Sequence, residues 1–349
     1  MELAQIVDLY APIIENELHS AFERLEEQGS VSELGPLHDM LRYHLGWVEE
    51  GGKPAISRGG KRIRPTLCLL ACEAAGGDSR LALPVATAIE LIHNFTLVHD
   101  DIQDRSEERR HRPTVWKVWG DAQAINAGDA LYAAAFLELF RLTHRGVSAD
   151  SVLEAATIVN TALIRICEGQ FLDISFETTM NVTTELYLAM IARKTAALIA
   201  CSTQIGALLG SGNAELAERY RLFGHSLGMA FQIQDDILGI WGEFSDTGKP
   251  TCDDILKRKK TLPVIFALAG ADPAQRRLLE ETFMGESVDL ERAEGVQVIL
   301  TALGARQYAE EAAQQWHDEA MRQLDAARPV ADAGNKMGTL ASALLGRKR

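Results

Sequence analysis

The stretch LALPVATAIELIHNFTLVHDDIQD, residues 81–104, decides the fold. It has no charged residue between Arg80 and Glu90, and then none until Asp100. A helix that is apolar on nearly every face belongs in the interior of a large helical protein. A second stretch of this kind, LGMAFQIQDDILGIW at 227–241, also runs into a pair of aspartates. The sequence therefore predicts two central helices that each carry paired carboxylates.

Helical periodicity extends outward from these stretches over nearly the whole chain. Apolar residues recur at three- and four-residue spacing through 2–28 and 32–51. Further helices are predicted over 65–77, 81–106, 121–143, 149–177, 183–210, 213–241, 252–270, 290–325 and 336–346. No convincing run alternates strictly with β-branched residues, which argues against a substantial sheet and a dinucleotide-binding fold. With no Pro/Ser-rich linker, we predict one all-α domain, a single large helical bundle over residues 1–349.

Composition narrows the classes of partner. The chain has 349 residues, 47% hydrophobic and 24% charged, which excludes a disordered protein. Its 35 Lys and Arg against 49 Asp and Glu give a net charge of -14, unfavourable for nucleic-acid binding. No apolar run reaches the ~18 residues of a membrane span, and the N-terminus lacks the basic region of a secretory signal. We expect a cytoplasmic protein without nucleic acid or stable membrane insertion, its five cysteines buried free thiols.

The first acidic cluster comprises Asp100, Asp101 and Asp104. On a helix, Asp100 and Asp104 share a face, and Asp101 lies beside them. Carboxylates this close repel one another, and a hard cation such as Mg²⁺ relieves the repulsion. A DDxxD motif on its own also fits a solvated helix end.

The second acidic cluster, Asp235 and Asp236, lies 135 residues further along the chain. Mg²⁺ is commonly bound by one or two carboxylates together with substrate phosphates. Two such clusters on bundle helices therefore suit a polyphosphate ligand, whereas two unrelated helix ends remain the alternative.

Cations concentrate near both clusters. GGKRIRP at 59–65 places Lys61 and Arg64 before a predicted helix start, a plausible anion site. Arg109 and Arg110 follow the first cluster, Lys194 lies in an apolar helix, and Lys249 and Lys259 follow the second cluster. Ordinary surface salt bridges are an equal alternative for four further cations: Arg62, Arg112, Arg258 and Lys260.

These residues resemble the trans-isoprenyl diphosphate synthases, also called the polyprenyl synthetase family. Six blocks match in order and spacing: GGKRIRP (59–65), ELIHNFTLVHDDIQD with RRHRPT (90–114), EGQFLDI (168–174), KT (194–195), FQIQDDIL (231–238) and GK with DDILKRKKTLP (248–263). The resemblance implies an all-α isoprenoid synthase bundle with a central cavity, and a homodimer whose interface the apolar helices 121–143 and 149–177 would supply.

The resemblance also implies residue roles. Isopentenyl diphosphate would be bound by Lys61, Arg64, His93 and Arg110. The first cluster would hold two Mg²⁺ ions and the second a third, about three in all. The allylic diphosphate would be bound by Arg109, Lys194, Lys249 and Lys259, with Thr195 and Gln232 beside it. Gln170 and Asp173 match a further block that lines the site. Taken without the resemblance, His93 is more often a core histidine.

The implied reaction needs no protein nucleophile. Cations and metal ions would stabilise charge as the allylic C–O bond breaks, and the double bond of isopentenyl diphosphate would attack the resulting cation. Released pyrophosphate would take the proton.

Two departures from the family pattern stand out. Gly239 occupies the fifth position of the second motif; two carboxylate ligands remain there, and Glu243 or Asp246 could help. His111 follows Arg110 where the family commonly has glycine.

Product length would depend on the residues one helical turn before Asp100, Phe95 and Thr96. One aromatic ring at the fifth position upstream and none at the fourth resembles geranylgeranyl diphosphate synthases. We therefore expect a twenty-carbon product, with farnesyl diphosphate or a longer product as the alternative. The alternative for Phe95 itself is a purely structural place in the hydrophobic core.

Three further protein classes stay open: a class I terpene cyclase, a regulatory synthase subunit and a purely structural bundle.

Overall fold

The computed structural model describes residues 2–28, 32–55, 60–242, 251–285 and 287–346. Its α-helices are α1 (Leu3–Gln28), α2 (Gly35–Leu45), α3 (Ile63–Ala74), α4 (Ser79–Gln103), α5 (Val115–Trp119), α6 (Asp121–Phe140), α7 (Ala149–Thr178), α8 (Thr184–Ile191), α9 (Ala197–Ser211), α10 (Ala214–Trp241), α11 (Asp253–Leu256), α12 (Leu262–Gly270), α13 (Pro273–Met284), α14 (Leu290–Ala302), α15 (Ala305–Ala326) and α16 (Ala331–Leu345). The predicted all-α fold is confirmed. The two apolar stretches form α4 and α10.

Three predicted helices are interrupted. A π-helical turn, Ala192–Ala196, separates α8 from α9 within the predicted 183–210 helix. The 290–325 helix breaks where Gly304 adopts φ 75°, a left-handed conformation that favours glycine. The 252–270 helix divides into α11 and α12, and α13 was not predicted at all. Asp272 starts α13 with a capping box closed by Gln275, a signal present in the sequence.

The chain folds into two compact units. The first contains Leu3–Ile158 and Ile205–Asn213. Here α4 packs against α3 and α6, and a Cβ atom at Gly128 of α6 would lie only 2.3 Å from His99 Nε2. The absence of a side chain at Gly128 therefore lets α6 approach α4 closely.

The second unit contains Val159–Gln204 and Ala214–Arg349. Its central helix is α10, which packs against α15 and the π turn. A Cβ atom at Gly228 of α10 would lie 2.5 Å from Ala196 Cα, so this glycine admits the turn. The apolar core around α10 includes Tyr187, Met229 and Ile233.

A short hairpin follows α4. Strands β1 (Glu108–Arg109) and β2 (Arg112–Pro113) pair antiparallel, with Arg109 opposite Arg112. The connecting residues Arg110 and His111 have φ 55° and 60°. A two-residue loop with both φ values positive is a type I′ turn, in which glycine is favoured. The turn gives a physical reason for the glycine that the resemblance leads us to expect at position 111.

Two helical segments, Ser79–Gln103 and Thr184–Ser211, are long and apolar enough to cross a membrane by length and composition alone. Most of each is buried in the protein, as expected for core helices, which pass the same test.

Four cysteines are buried, but Cys167 is exposed. The prediction that all five thiols are buried is therefore wrong for Cys167.

Candidate active site

The first acidic motif lies in the last turn of α4. Asp104 is the C-terminal cap, and its backbone N–H donates to Asp100 O at 2.8 Å. Helical backbone thus continues through the motif and places Asp100 and Asp104 on one face. Asp104 is exposed and Asp100 half-buried, whereas Asp101 is 2% exposed.

Arg109 of the hairpin neutralises Asp101. Its Nε donates to both carboxylate oxygens of Asp101 at 2.9 Å, and its Nη2 donates to Oδ1 at 2.7 Å. Burial raises the pKa of Asp101, and the guanidinium of Arg109 opposes that rise. Two residues predicted to serve different ligands, a metal ion and a diphosphate, therefore contact each other here.

The basic segment before α3 is anchored by Arg62. This residue is 2% exposed, and its guanidinium donates to Glu15 at 2.7 Å and to Glu90 at 2.5 Å. The surface salt-bridge alternative is therefore wrong for Arg62, because the ion pair with Glu90 is buried. Lys61, the neighbouring residue, is exposed.

Arg64 and His93 meet on the adjoining helices. Arg64 Nη1 lies 3.2 Å from His93 Nε2. Because guanidinium only donates, Nε2 must accept, which leaves the proton on Nδ1. Burial, followed by the charges of Arg64 and Arg110, holds the pKa of His93 well below its usual value. His93 is therefore a neutral imidazole.

Arg110 lies close to the same basic segment. A Cβ atom at Gly60 would be 2.7 Å from Arg110 Nη2, so the guanidinium packs against that glycine. The first unit thus gathers cations from two separate stretches of chain, with the neutral His93 from a third. Within the same unit, Phe95 packs its ring 5.0 Å from His99 and 5.4 Å from Tyr132, measured between centroids. Thr96 donates to His93 O at 2.8 Å.

The second acidic motif, like the first, has one buried aspartate and one exposed aspartate. Asp235 is exposed and Asp236 is 3% exposed. The Tyr187 hydroxyl, Gln232 Nε2 at 3.0 Å and the Leu262 N–H at 3.3 Å donate to Asp236. Burial, followed by the nearby Asp254 carboxylate, raises the pKa of Asp236 to about 8.

The π turn brings two further predicted residues to α10. Thr195 Oγ1 donates to Gln232 Oε1 at 2.7 Å, which continues the hydrogen-bond chain from Asp236 to the turn. Lys194 Nζ lies 2.5 Å from Asp173 Oδ2 on α7. The resemblance had implied that Asp173 lines the site, and the structure gives it a specific partner.

Gly239 leaves space that another carboxylate fills. A Cβ atom at this position would lie 2.0 Å from Asp254 Oδ2 and 2.4 Å from its Cγ. Asp254 is buried in α11 and raises the pKa of Asp236. No aspartate fits at position 239 while Asp254 keeps this conformation.

The predicted cations after the second acidic motif are Lys249 and Lys259. Lys259 is exposed, and its backbone N–H donates to Asp254 O at 2.8 Å. Lys249, and the alternative carboxylates Glu243 and Asp246, lie outside the described residues.

The remaining cations offered as surface salt bridges bind main-chain oxygens. Lys260 is buried and donates to Phe176 O at 2.6 Å and Glu177 O at 3.0 Å, so it caps the end of α7. Arg258 donates to a main-chain carbonyl at Gly285. Arg112 donates to Val48 O at 2.6 Å and also pairs with Glu49. The surface salt-bridge alternative is wrong for Lys260 and incomplete for Arg112.

Sequence analysis missed Tyr187, Asp254 and the glutamates that hold Arg62. Asp254 lies inside a quoted block, DDILKRKKTLP, and was not singled out. Tyr187 lies seven residues before Lys194, two helical turns along the same helical segment. Glu15 and Glu90 are distant in sequence from Arg62, and only packing identifies them.

The carboxylates fit a hard cation that also binds substrate. Oxygen donors suit Mg²⁺, and the more exposed members, Asp100, Asp104 and Asp235, are those that an ion can reach. Across the described ranges, no group of three or more His, Cys, Asp or Glu side chains is arranged to hold a metal by itself.

Known proteins resemble this chain over most of its length. The polyprenyl synthetase profile matches residues 46–300. A (2E,6E)-farnesyl diphosphate synthase of Mycobacterium tuberculosis is 43% identical over 277 residues, 78% of this chain and 76% of that protein. A geranylgeranyl diphosphate synthase of the same species is 42% identical over 261 residues, 75% of this chain and 71% of that protein.

Solved structures are similar over nearly the whole chain. A polyprenyl synthetase from Streptomyces coelicolor superposes with a TM-score of 0.89 at 35% identity, covering 99% of this chain and 100% of that one. A geranylgeranyl pyrophosphate synthase from Corynebacterium glutamicum, complexed with isoprenyl diphosphate and magnesium, gives 0.84 at 26% identity, with coverage of 99% and 100%. With its helical fold, aspartate motifs and matching profile, this chain belongs to the polyprenyl synthetase family and is a trans-prenyltransferase, an isoprenyl diphosphate synthase.

Proposed function

We propose that this protein condenses isopentenyl diphosphate with allylic diphosphates to give geranylgeranyl diphosphate. The observation that carries the proposal is that the two acidic motifs have the same arrangement. Each has a buried aspartate held by protein donors, Asp101 or Asp236, and a more exposed partner beside it. Basic side chains accompany both motifs, as a reaction between two diphosphates requires.

Isopentenyl diphosphate is assigned to Lys61, Arg64, His93 and Arg110. Arg64 donates to His93 Nε2, so the Nδ1–H of the neutral imidazole is the hydrogen-bond donor that His93 retains. Arg110 is held by the hairpin turn beside Gly60. These residues bind and orient the diphosphate without exchanging a proton with it.

The allylic diphosphate is assigned to Arg109, Lys194, Lys249 and Lys259, with Thr195 and Gln232 beside it. The exposed carboxylates of both motifs would hold Mg²⁺, about three ions per site, which supplies electrophilic stabilisation of the departing diphosphate. Arg109 and Lys194 contribute fixed positive charge where negative charge develops as the C–O bond breaks. The bond from isopentenyl diphosphate then forms, and the departing pyrophosphate accepts the proton.

Phe95 supports the twenty-carbon product. Its ring packs against the rings of His99 and Tyr132. Thr96, one position closer to Asp100, is small and does not add a second ring. Farnesyl diphosphate is the second candidate product, favoured by the 43% identity to a farnesyl diphosphate synthase.

Product analysis tests the proposal. Purified protein is incubated with Mg²⁺, isopentenyl diphosphate and dimethylallyl, geranyl or farnesyl diphosphate, and the dephosphorylated alcohols are sized. Geranylgeraniol is expected, and farnesol alone would support the second candidate. A cyclic hydrocarbon formed without isopentenyl diphosphate would indicate a terpene cyclase. Activity that appears only with a second protein would indicate a regulatory subunit.

The Phe95→Ala variant tests product length directly. Removing the ring leaves space for the growing hydrocarbon chain of the product. We therefore expect products longer than the wild-type product, with condensation retained. Phe140→Ala is the matched control, because Phe140 is 47% exposed at the far end of the same aromatic row. An unchanged product in Phe95→Ala would mean that this ring is plain core.

Single-domain organisation, homodimerisation and a cytoplasmic location remain parts of the proposal. The acidic composition and buried apolar helices support a location in aqueous solution.

A further inference from the structure

Lys194 lies in the π turn between α8 and α9, and α7 contacts this turn at Gly169. A Cβ atom at Gly169 would lie 2.3 Å from Lys194 N and 2.7 Å from Lys194 Cα. Real Cβ atoms essentially never approach backbone atoms this closely. The lack of a side chain at Gly169 therefore allows the backbone of the π turn to lie directly on α7.

A second contact lies one helical turn further along α7. Gly169 and Asp173 are four residues apart and share a helix face. The Asp173 carboxylate is 2.5 Å from Lys194 Nζ, and the two side chains are 32% and 21% exposed. The same face of α7 thus holds Lys194 both at its backbone and at its ammonium group.

The π turn is fixed from its other side by α10. Gly228 admits Ala196, and Gln232, four residues later, accepts from Thr195. π turns add a residue to a helix and frequently occur at functional sites. Here the added residue leaves Lys194 in a position that contacts from two helices determine.

We propose that Gly169 positions Lys194 for the diphosphate of the allylic substrate, and that Asp173 pairs with Lys194 until this diphosphate displaces it. This inference rests on the proposed function, which assigns Lys194 to that diphosphate. Gly169 sets the backbone position of the π turn. Asp173 holds the ammonium group as an internal anion, and the diphosphate displaces it. A diphosphate carries more negative charge than one carboxylate, so the exchange favours the bound substrate.

The Asp173→Asn variant tests the displacement. The amide has the same shape without the charge, so inorganic pyrophosphate with Mg²⁺ no longer competes with an internal anion. Calorimetry is expected to show about fivefold tighter binding than wild type, equivalent to about 1 kcal/mol. The gain is expected to vanish when Lys194→Gln is also present, as a double-mutant cycle would reveal. Unchanged or weaker binding in Asp173→Asn would overturn the displacement.

The Gly169→Ala variant tests the backbone contact. The added methyl must push the π turn away, and a displacement of about 1 Å can cost up to 10²-fold in activity. We expect the KM for the allylic diphosphate to rise about tenfold or more, and pyrophosphate to bind correspondingly more weakly. The KM for isopentenyl diphosphate is expected to stay close to wild type.

Gly206→Ala is the matched steric control. Its Cβ atom would lie 2.1 Å from Cys68 O, an equally severe backbone contact in a part of α9 that does not carry Lys194. An equal rise in allylic KM in Gly206→Ala would attribute the effect to general destabilisation and overturn the proposal. Absence of condensation by wild type would refute the proposed function instead, while the pyrophosphate cycle would still report on Lys194.

Discussion

At the scale of single residues, the two adjacent aspartates of each acidic motif differ in burial and in hydrogen bonding. Asp101 is bound by Arg109, and Asp236 is bound by Tyr187, Gln232 and a backbone amide. Carboxylates with several protein donors are stabilised in place but have fewer lone pairs left for a metal ion. We therefore expect the more exposed aspartates to be the direct metal ligands.

The raised pKa of Asp236 predicts a pH dependence of stability. With a pKa of about 8 in the folded chain and 3.8 as its ordinary value, this carboxyl retains a proton that the unfolded chain releases. Stability should therefore fall as pH rises through the window between these two values. Between pH 6 and 8, metal-free protein should lose on the order of 2 kcal/mol.

Thermal unfolding in a chelating buffer measures this effect. Asp236→Asn removes the titrating group, and its stability should vary less with pH than that of wild type. Equal pH dependence in the two proteins would contradict the prediction.

The space around Gly239 predicts a loss of stability on Gly239→Asp, whereas the DDxxD motif alone would predict better metal binding. Gly239→Asp restores the DDxxD pattern, yet its Cβ would meet the Asp254 carboxylate. Overpacking of this kind destabilises proteins by about 1–3 kcal/mol. We expect Gly239→Asp to unfold at lower urea concentration than wild type, without tighter Mg²⁺ binding.

Shortening the obstructing residue is the control for Gly239→Asp. In the Gly239→Asp, Asp254→Gly double variant, the new carboxylate occupies the vacated space, and stability should partly return. A stable single variant with improved Mg²⁺ affinity would show that Asp254 moves aside easily.

At the scale of secondary-structure elements, the hairpin after α4 holds two site cations on a strained turn. Its loop residues Arg110 and His111 both have positive φ, where a residue with a side chain is strained. His111→Gly should therefore stabilise the protein by about 0.5–1 kcal/mol and keep Arg110 in place. Urea unfolding measures the change.

Gln315→Gly is the comparison for the hairpin variant. Gln315 is exposed in the middle of α15, where glycine should destabilise by about 1 kcal/mol. A loss of stability in His111→Gly as large as that in Gln315→Gly would contradict the type I′ assignment.

At the scale of the whole molecule, α7 carries an apolar stripe that predicts self-association. Leu153, Ile164 and Phe171 are 64%, 63% and 71% exposed, and their spacings of eleven and seven residues place them on one helix face. Helix α6 also exposes Ile125 and Leu137. Exposed apolar patches of this kind mark interaction sites, and a second copy of the chain is the proposed occupant.

Sedimentation measures the association state. Wild type should sediment as a dimer, and Phe171→Asp should shift it toward monomer by placing a charge in the stripe. Glu154→Asp, an exposed conservative change on the same helix, should leave the dimer intact. A monomeric wild type would refute the proposal.

The sequence by itself determined the helical fold class and most of the charged site residues. Long apolar runs such as 81–104 can satisfy their backbone only as helices in a protein interior, and aspartates at their ends are readable as local patterns. The order of six motif blocks identified the family. Helix boundaries were less well determined, because the π turn and the break at Gly304 depend on backbone geometry that periodicity does not encode.

Only the tertiary structure decided which charged groups pair with which. Arg62 is bound by glutamates 47 and 28 residues away, and Lys194 by an aspartate 21 residues away. The space at Gly239 is filled by Asp254, which is fifteen residues distant in sequence. Ion pairs and steric fit depend on distances of a few ångströms between separate helices, and those distances exist only once the helices have packed.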